Sequence, residues 1–511
     1  MPVNIQDKEL MLCKNGVKRK VNVWVEQDIL VPDTKPDVMQ IISTQATPYI
    51  LNTEVSNSKI KVSGKINYFI IYKVGDEKYS ARGIFATYPF TETLNVDGVE
   101  AKTNVLVKPI INNVITSLPN ERKIAIKSEI IFDICIRDYT KIKLINNFKS
   151  EKDIEKQIKS DIFSNIINNK RSIIASKEDL LLPKEAEDLL EILRVDSAIG
   201  GTEIKESFNK IMVKGDILLK IMYLSENSGE GLRSTNLEVP FTGMIEFDNI
   251  SDKSKFDIDY MLEDLEVSVN KDITSTKAIS VEYRIGADVT EYEEEEVSYV
   301  DDFYSQYEEL EYDEKEYEVV KDINRLSYEV EVKENIGKIA DNMQVIDYRV
   351  DLSNVNATTS ISNGIKLNGN AKIDILMQNS ETKDIENKNV ELLVDKEFRK
   401  DDIDLNRNNE ISINLKDCKI LQNDSTLDVN LVLNLDINSR LEGKVKVIDN
   451  LTTKKIDTTN LDSMNIYIVK ENDNLWNIAK KYKTSVENLE KINEEVRDNS
   501  LNVGQKILII R

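Results

Sequence analysis

The chain has 511 residues, 40% of them hydrophobic and 31% charged, which suffices for buried cores and predicts about three or four domains. It carries 91 acidic and 68 basic residues, for a formal net charge of −23, and it contains no histidine. Since Ser-His-Asp triads, Cys-His pairs and zincin-type metal sites all require an imidazole, the sequence excludes these enzyme classes. The acidic balance also disfavours nucleic acid as a partner.

The cysteines and the N-terminal segment favour a reducing cytosol. Cys13, Cys135 and Cys418 are far apart and form no CxxC pair, so neither a disulfide framework nor a zinc ribbon is indicated. Residues 1–7 lack the basic and apolar regions of a signal peptide, and no apolar run is long enough for a transmembrane segment. We expect no catalytic residue, no metal and no cofactor.

Self-comparison indicates a threefold repeat. Three stretches alternate apolar and polar residues around Gly64, Gly215 and Gly369, at spacings of about 150 residues. Each copy also contains a second alternating stretch, and these lie at 124–134, 279–289 and 427–437. Period-2 alternation predicts strands with one buried face, so the fold class is mainly β, with three tandem sandwich- or barrel-like repeat domains.

Shorter landmarks keep the same register in the first two copies. Pro32 and Pro183 precede the first two glycines at equal distance, and residues 35–42 and 184–193 are predicted as short helices. Pro-Phe pairs follow the same two glycines, at 89–90 and 240–241. The third copy has no such pair, and Phe398 is interpreted as its relic.

The repeats and the segments between them predict seven regions. Ile154, Ile158, Ile162 and Ile166 recur every four residues, which is typical of an amphipathic helix. The regions are a repeat domain at 1–150, a helical connector at 151–174, a repeat domain at 175–292, an acidic tyrosine-rich linker at 293–320, a repeat domain at 321–450, a linker at 451–463, and a small α/β domain at 464–511.

The acidic tyrosine-rich segment permits two interpretations. From Glu291 to Glu318 it is dominated by Asp and Glu with interleaved tyrosines, and Lys315 is its single lysine. The favoured interpretation is a solvated, self-repelling linker. The alternative is an acidic-aromatic docking segment that folds on a basic partner surface.

The C-terminal 45 or so residues predict strand, helix, helix and strand. Asp473 is expected to N-cap the first helix, and Thr484 with Glu487 forms a capping box for the second. The closing strand is Lys506 to Ile510.

This tail resembles the LysM family. The match rests on residues of the first strand and on a set of spaced positions: Asp473, Leu475, Trp476, Ile478, Ala479, Tyr482, Leu489, Asn493, Leu501, Gly504, Gln505, Lys506 and Ile507. The resemblance implies a βααβ fold and a shallow groove for N-acetylglucosamine-containing glycans between loops 471–475 and 500–504. It places partner- or glycan-binding contacts at Asp473, Asn474, Leu475, Trp476, Leu501, Asn502 and Val503.

Two features qualify the implied groove. Asn472-Asp473-Asn474 replaces the family's usual Gly-Asp-Thr, and Val503 replaces its usual proline, which alters the loops that would approach a sugar. For Trp476, Tyr482 and Leu489 the favoured interpretation is packing in a very small core. Exposed Asn474 and Asn502 are therefore the favoured contacts.

Three repeats followed by one LysM module are similar to the SipL family of clostridial spore coat morphogenetic proteins. That resemblance implies a non-enzymatic scaffold in the mother-cell cytoplasm, at the forespore surface. Its partners would be the coat-basement ATPase, stage IV sporulation protein A, bound through the LysM module, and other coat proteins. The alternative is a cortex-associated protein that binds peptidoglycan. A wall hydrolase anchored by LysM is a third and weaker hypothesis, because neither a histidine nor a phosphate-binding loop is present.

Overall fold

The computed structural model describes residues 5–13, 17–75, 81–148, 154–225, 231–270, 275–360, 364–382, 384–423, 426–455, 464–499 and 501–510. Within these residues the chain is almost entirely β-strand, with two short α-helices and one 3₁₀ helix near the C-terminus. The predicted mainly-β fold class is therefore confirmed.

The strands form three repeats in chain order. Strand β1 (Ile5–Cys13) precedes the first repeat, which comprises β2 (Val17–Leu30), β3 (Gln40–Ser56), β4 (Lys59–Lys73), β5 (Ala81–Asn95), β6 (Asn104–Asn120) and β7 (Lys123–Arg137); β8 (Tyr139–Phe148) follows it. The second comprises β9 (Ile154–Leu181), β10 (Leu189–Ser207), β11 (Lys210–Ser225), β12 (Leu232–Glu246), β13 (Ser254–Val269) and β14 (Ala278–Ser305). The third comprises β15 (Glu308–Lys338), β16 (Met343–Asp351), β17 (Val355–Ser360), β18 (Gly364–Asn379), β19 (Ile385–Arg399), β20 (Asn408–Asn423) and β21 (Thr426–Lys455).

Each repeat is a sandwich of two antiparallel sheets around its own apolar core. The inner sheets have the orders β3-β4-β5, β10-β11-β12 and, in the third repeat, β18 flanked by β19 on one side and by β16 and β17 on the other. The outer sheets are β2-β7-β6, β9-β14-β13 and β15-β21-β20. The two alternating stretches seen in the sequence are the central strands of these sheets, and every second residue of each faces the core.

The glycine and Pro-Phe landmarks belong to one local packing unit. A Cβ atom on Gly64 would lie 2.0 Å from the carbonyl oxygen of Tyr49 and 2.9 Å from the ring of Phe90. In the second repeat a Cβ on Gly215 would lie 2.7 Å from the ring of Phe241. The missing side chain makes room for the phenylalanine of the neighbouring strand and, in the first repeat, for a β-bulge of the preceding one.

The third repeat keeps the glycine but not the phenylalanine. A Cβ on Gly369 would lie 2.0 Å from the carbonyl oxygen of Asn354, where β16 gives way to β17. Its partner on β19 is Val394, whereas Phe398 pairs with Ile365. The interpretation of Phe398 as the relic of the Pro-Phe pair was therefore wrong.

The predicted short helices near the start of the first two repeats are also wrong. Tight turns end at Lys35 and Ala186, a few irregular residues follow, and residues 40–42 and 189–193 already belong to β3 and β10. The turns close through hydrogen bonds from Lys35 N to Pro32 O and from Ala186 N to Pro183 O, both 2.9 Å. In the first repeat Lys35 precedes a proline, which disfavours the helical conformation, and the Arg122 guanidinium donates to the carbonyls of Val31, Pro32 and Lys35.

The inner sheets of the three repeats close into a ring. Strand β5 contacts β10, β12 contacts β16, and β19 contacts β3, so each repeat meets both others. One apolar cluster at the centre contains residues of all three repeats. Three of its members, Ile42, Leu193 and Ile346, occupy equivalent positions, each at a β-bulge in the first inner strand of its repeat. The remaining members are Ile71, Ala81, Met222, Leu224, Leu232, Leu376 and Ile385. This equivalence gives the ring approximate threefold symmetry.

Charged and polar side chains form specific contacts between neighbouring repeats of the ring. Arg194 of the second repeat and Asp347 of the third form a buried ion pair, and Lys220 reaches the same carboxylate at 2.5 Å. Between the first two repeats, Gln45 donates to Asp196 at 2.7 Å. Because these positions differ between copies, each repeat has a defined place in the ring.

Extensions of the outer sheets continue beyond the ring and form a second part of the molecule, which we call the stalk. It consists of β1, β8, residues 154–166 of β9, 292–305 of β14, 308–319 of β15 and 445–455 of β21, paired as three two-stranded ribbons. The ribbons pack around a small core contributed by all of them: Leu10, Leu12, Ile142, Leu144, Phe163, Val297, Tyr299, Val319, Val445 and Val447.

The stalk corrects two predicted connecting segments. The connector at 151–174 is not helical, because from Ile154 onward it lies in β9; a four-residue spacing also returns to the same face of a strand. The linker at 293–320 is strand as well, in β14 and β15. Its alternating Val297 and Tyr299 are buried, the half-buried Glu295 pairs with Lys8, and the exposed Glu314 pairs with Lys446. Of the predicted linker at 451–463, Leu451–Lys455 belongs to β21 and 456–463 lies outside the described residues.

Candidate ligand-binding site on the C-terminal domain

The C-terminal domain has the predicted strand, helix, helix, strand order. It comprises β22 (Met464–Ile468), α1 (Leu475–Tyr482), α2 (Val486–Ile492), a 3₁₀ helix (Glu494–Asn499) and β23 (Lys506–Ile510). β22 and β23 pair antiparallel, and the helices cover one face of this sheet. The core residues include Leu475, Ile478, Leu489 and Ile507, all at most 2% exposed.

The first helix is capped one residue later than predicted. The Asn474 side chain accepts a hydrogen bond from Asn477 N at 2.7 Å, which makes Asn474 the N-cap. Asp473 instead accepts from Lys470 N and from the Tyr467 hydroxyl, both at 2.7 Å. These two hydrogen bonds hold the pKa of Asp473 below its ordinary value, and the bond from Lys470 N has the larger effect. Asp473 therefore fixes the loop that precedes the helix.

The second helix begins at Ser485 rather than at Thr484. The Ser485 hydroxyl accepts from Asn488 N at 3.0 Å, so Ser485 occupies the N-cap. Thr484 is buried between the helices. The predicted capping box, which requires Thr484 as the cap, is not formed.

Asn493 and Gly504 position the second loop. The Asn493 amide donates to Leu508 O and accepts from Leu508 N, both at 2.8 Å, which ties the end of α2 to β23. Gly504 has a φ of +88°, a conformation that favours glycine, and its N–H donates to Val469 O at 2.8 Å. The two loops of the implied groove, one after β22 and one before β23, are thereby joined through Val469.

Six of the seven predicted groove residues fall into three environments. Asn474, Asn502 and Val503 are exposed, and Val503 is exposed by 72%. Asp473 and Leu501 are half-buried. Leu475 is 1% exposed, so its side chain belongs to the core and cannot reach a ligand.

Trp476, the seventh predicted groove residue, contacts the stalk. Its ring packs edge-on against Tyr304 with centroids 5.0 Å apart, and its Nε1 donates to Asp302 at 2.8 Å. Lys480, one turn further along α1, pairs with the same carboxylate. Tyr304 is 2% exposed, and its hydroxyl donates to Thr484 O at 2.7 Å.

The electrostatics of this contact favour an ionised Asp302 and a neutral Tyr304. Burial acts to raise the pKa of Asp302, but hydrogen bonds from Lys480 and Trp476 outweigh it and hold the pKa below its ordinary value. Burial raises the pKa of Tyr304 well above its ordinary value. Asp302 and Tyr304 of the acidic-aromatic segment thus contact the C-terminal domain through the Trp476 ring, the Lys480 ammonium group and the Thr484 carbonyl.

A third surface was not anticipated from the sequence. Met464, Ile466 and Ile468 lie on the side of the sheet away from the helices and are exposed by 62%, 66% and 55%. The sequence does contain a sign of this surface. Tyr467 and Val469 face the core, yet the residues that alternate with them are also apolar, so apolar side chains lie on both faces of the sheet. The sequence also does not predict that Asp302 and Tyr304 contact the C-terminal domain.

Neither a candidate metal cluster nor a membrane-spanning helix is found in the described part of the chain. It contains no group of three or more His, Cys, Asp or Glu residues that could hold a metal ion. None of its helices is long and apolar enough to cross a membrane. Burial raises the pKa of the Cys418 thiol to about 12, so this cysteine is a poor nucleophile at neutral pH.

Comparison with protein-family models finds two families. The model of the SipL, SPOCS domain matches residues 37–118 and 188–270, which run from β3 to β6 and from β10 to β13. The LysM domain model matches residues 467–509. SPOCS domains are characteristic of sporulation coat-related proteins, LysM domains of peptidoglycan or carbohydrate binding, and both families are non-catalytic. Searches of curated proteins and of solved structures give no significant match.

Proposed function

We propose, on the basis that this is a SipL-like chain with two matched SPOCS domains and a C-terminal LysM domain, that it is a non-enzymatic scaffold of spore coat assembly. It acts in the mother-cell cytoplasm at the forespore surface and helps to encase the forespore. Its LysM domain binds the coat-basement ATPase, stage IV sporulation protein A, and its repeats offer surfaces to other coat proteins.

The observation that carries the proposal is the exposed apolar face of the LysM sheet. Met464, Ile466 and Ile468 form a continuous stripe on β22, and Ile510 extends it across the strand pair. A sugar is recognised mainly through its hydroxyl groups, which aliphatic side chains cannot satisfy. A contiguous aliphatic patch is instead typical of a protein-protein interface. This supports a protein partner for the domain.

The architecture supports a scaffold in a second way. The three repeats share a central cluster and the stalk core, so the ring and stalk form one body. The LysM domain lies against the tip of that stalk, at the residues around Tyr304. A rigid body with a binding domain at its end suits a protein that links partners at a fixed distance.

Peptidoglycan binding by a cortex-associated protein is the second candidate. Asn474, Asn502 and Val503 are exposed on the two loops that would form the glycan groove. The side-chain amides of Asn474 and Asn502 can hydrogen-bond to sugar hydroxyls and acetamido groups. This candidate uses the loops and does not require the apolar face.

Capture experiments separate the two candidates. The full chain and the tail 463–511 are each tested for retention of the purified ATPase, and separately for retention on chitin and on peptidoglycan. We expect ATPase capture by both and its strong loss in Ile466→Asp. Met244→Asp, at a strand position of the second repeat that is 65% exposed, is the matched control and should bind normally.

Two results would contradict the scaffold proposal. One is tight glycan retention that Asn474→Ala and Asn502→Ala abolish, without ATPase capture. The other is a fluorescent fusion that stays diffuse in the mother cell instead of forming a shell around the forespore.

A further inference from the structure

The stalk tip holds the LysM domain through two residues with different chemistry. Tyr304 contributes a buried ring and a hydrogen bond to Thr484 O, while Asp302 accepts from both Trp476 and Lys480. The apolar and the charged contact lie two residues apart on one strand. Together they fix both the position and the rotation of α1 relative to the stalk.

The chain connectivity favours this contact further. β21 ends at Lys455, which pairs with Glu308, close to Ser305 at the end of β14. The LysM strand begins at Met464, so a short stretch of chain joins the stalk tip to the domain that docks on it. A short connection produces effective concentrations in the millimolar range (about 1 mM or more), so that even a small interface stays closed.

We propose that Asp302 and Tyr304 form a latch that fixes the LysM domain to the stalk. While the latch is closed, domain and ring move as one body, and the Trp476 side of the domain is closed to ligands. The surfaces that remain available are the apolar sheet face and the two exposed loops. Only the choice of the sheet face as the partner surface rests on the proposed function; the latch itself does not.

The tryptophan content of the chain allows a direct test. Trp24 and Trp476 are its two tryptophans, so Trp24→Phe leaves Trp476 as the single reporter in the full chain. Fluorescence anisotropy decay of Trp476 measures whether the domain moves independently, and acrylamide quenching measures its exposure. We expect one slow decay, typical of the whole particle, and weak quenching.

Latch variants are compared in the same background. Asp302→Asn removes the charge that holds Lys480, and Tyr304→Phe removes only the hydroxyl. The double variant should show an added fast decay and several-fold stronger quenching. Asp301→Asn removes the neighbouring exposed carboxylate and should change neither signal. Tyr304→Phe retains the ring and should therefore keep the domain folded, which circular dichroism checks.

Two outcomes would overturn the latch: a fast decay already present in the Trp24→Phe parent, or no change in the double variant. Its failure is distinguishable from failure of the proposed function. If neither the parent nor any variant captures the ATPase, the proposed partner is contradicted, while the fluorescence still decides whether the latch exists. If the latch-open variant captures the ATPase as well as the parent does, and Ile466→Asp does not, the sheet face is the partner surface.

Discussion

The two halves of β14 lie in different surroundings although they are one continuous strand. Residues 278–290 run through the second sandwich, where Ile279, Val281 and Ile285 are fully buried in an aliphatic core. Residues 292–305 run through the stalk, where Val297 and Tyr299 face a much smaller core and the carboxylates of Glu294 and Glu296 face outward. Alternation is thus sufficient to form a strand even where most of the exposed residues are acidic, but the amount of buried surface differs greatly.

The ring therefore depends on large cores and buried charge pairs, and the stalk on a few aromatic and aliphatic contacts. The variants below probe that difference, beginning with the contact that orders the ring.

Asp347→Ala is expected to have the largest effect. Asp347 is 2% exposed and accepts from both Arg194 and Lys220, so its removal deprives the buried Arg194 guanidinium of one of its two carboxylate partners and leaves it with Asp196 at 3.0 Å. Loss of one member of a buried pair costs about 3–5 kcal/mol of unfolding free energy. Urea unfolding followed by circular dichroism measures this loss of unfolding free energy.

The control is Asp384→Ala, which removes an exposed pair with Lys73 between the third and first repeats and should cost less than about 1 kcal/mol. Equal effects would mean that burial of the pair is unimportant.

Tyr299→Ala tests whether the stalk depends on its small core. Tyr299 is 4% exposed, packs against Phe163 with centroids 6.1 Å apart, and donates to Asp161 at 2.7 Å. Truncation of a buried aromatic residue should destabilise the stalk by about 3 kcal/mol. Hydrogen exchange should show increased opening of 292–305 and 154–166, with the ring strands still protected. Tyr307→Ala, at a position 63% exposed, is the control. Loss of protection in the ring as well would show that ring and stalk unfold together.

Gly64→Ala tests the packing unit shared by the first two repeats. The new Cβ would meet the Tyr49 carbonyl and the Phe90 ring, and relief requires the bulge to shift. We expect a loss of about 2 kcal/mol of unfolding free energy, typical of overpacking. Gly75→Ala is the matched control, because its Cβ would meet only the flexible Met39 side chain at 3.2 Å. A neutral Gly64→Ala would indicate that the bulge is not needed there.

The sequence was sufficient for those features that have a local signal. Period-2 alternation identified the central strands, and the LysM spacing identified the tail and its core. It misassigned the segment 293–320 because acidic composition was weighed above the alternation of Val297 and Tyr299. It misassigned 151–174 because an isoleucine at every fourth position fits a strand as well as a helix.

The ring and the latch could not be predicted in the same way. The central cluster joins residues of three repeats that are far apart in the chain, and each is an ordinary apolar position within its own strand. Asp302 was treated as a solvated linker residue, whereas its partners Trp476 and Lys480 lie more than 170 residues away. Such contacts are defined by the packing of whole domains, which leaves no local pattern.

The smallest expected effect concerns the cap of α1, where sequence and structure name adjacent residues. If Asn474 is the N-cap, Asn474→Ala should cost the LysM domain about 1 kcal/mol, whereas Asn474→Gly should cost only a few tenths (about 0.3 kcal/mol), because glycine is tolerated at this position. Thermal unfolding of the Trp24→Phe chain, followed by Trp476 emission, reports this domain selectively. Asp473→Ala should leave the helix capped but release Tyr467 and the Lys470 backbone, which would appear as faster amide exchange in 470–474. Loss of the helix in Asp473→Ala, with Asn474→Ala unaffected, would restore the sequence-based assignment.

Because Asn474 is also an exposed residue of the implied groove, the Asn474→Gly variant keeps the helix capped while removing the amide. It therefore separates a structural role of this residue from a role in ligand binding.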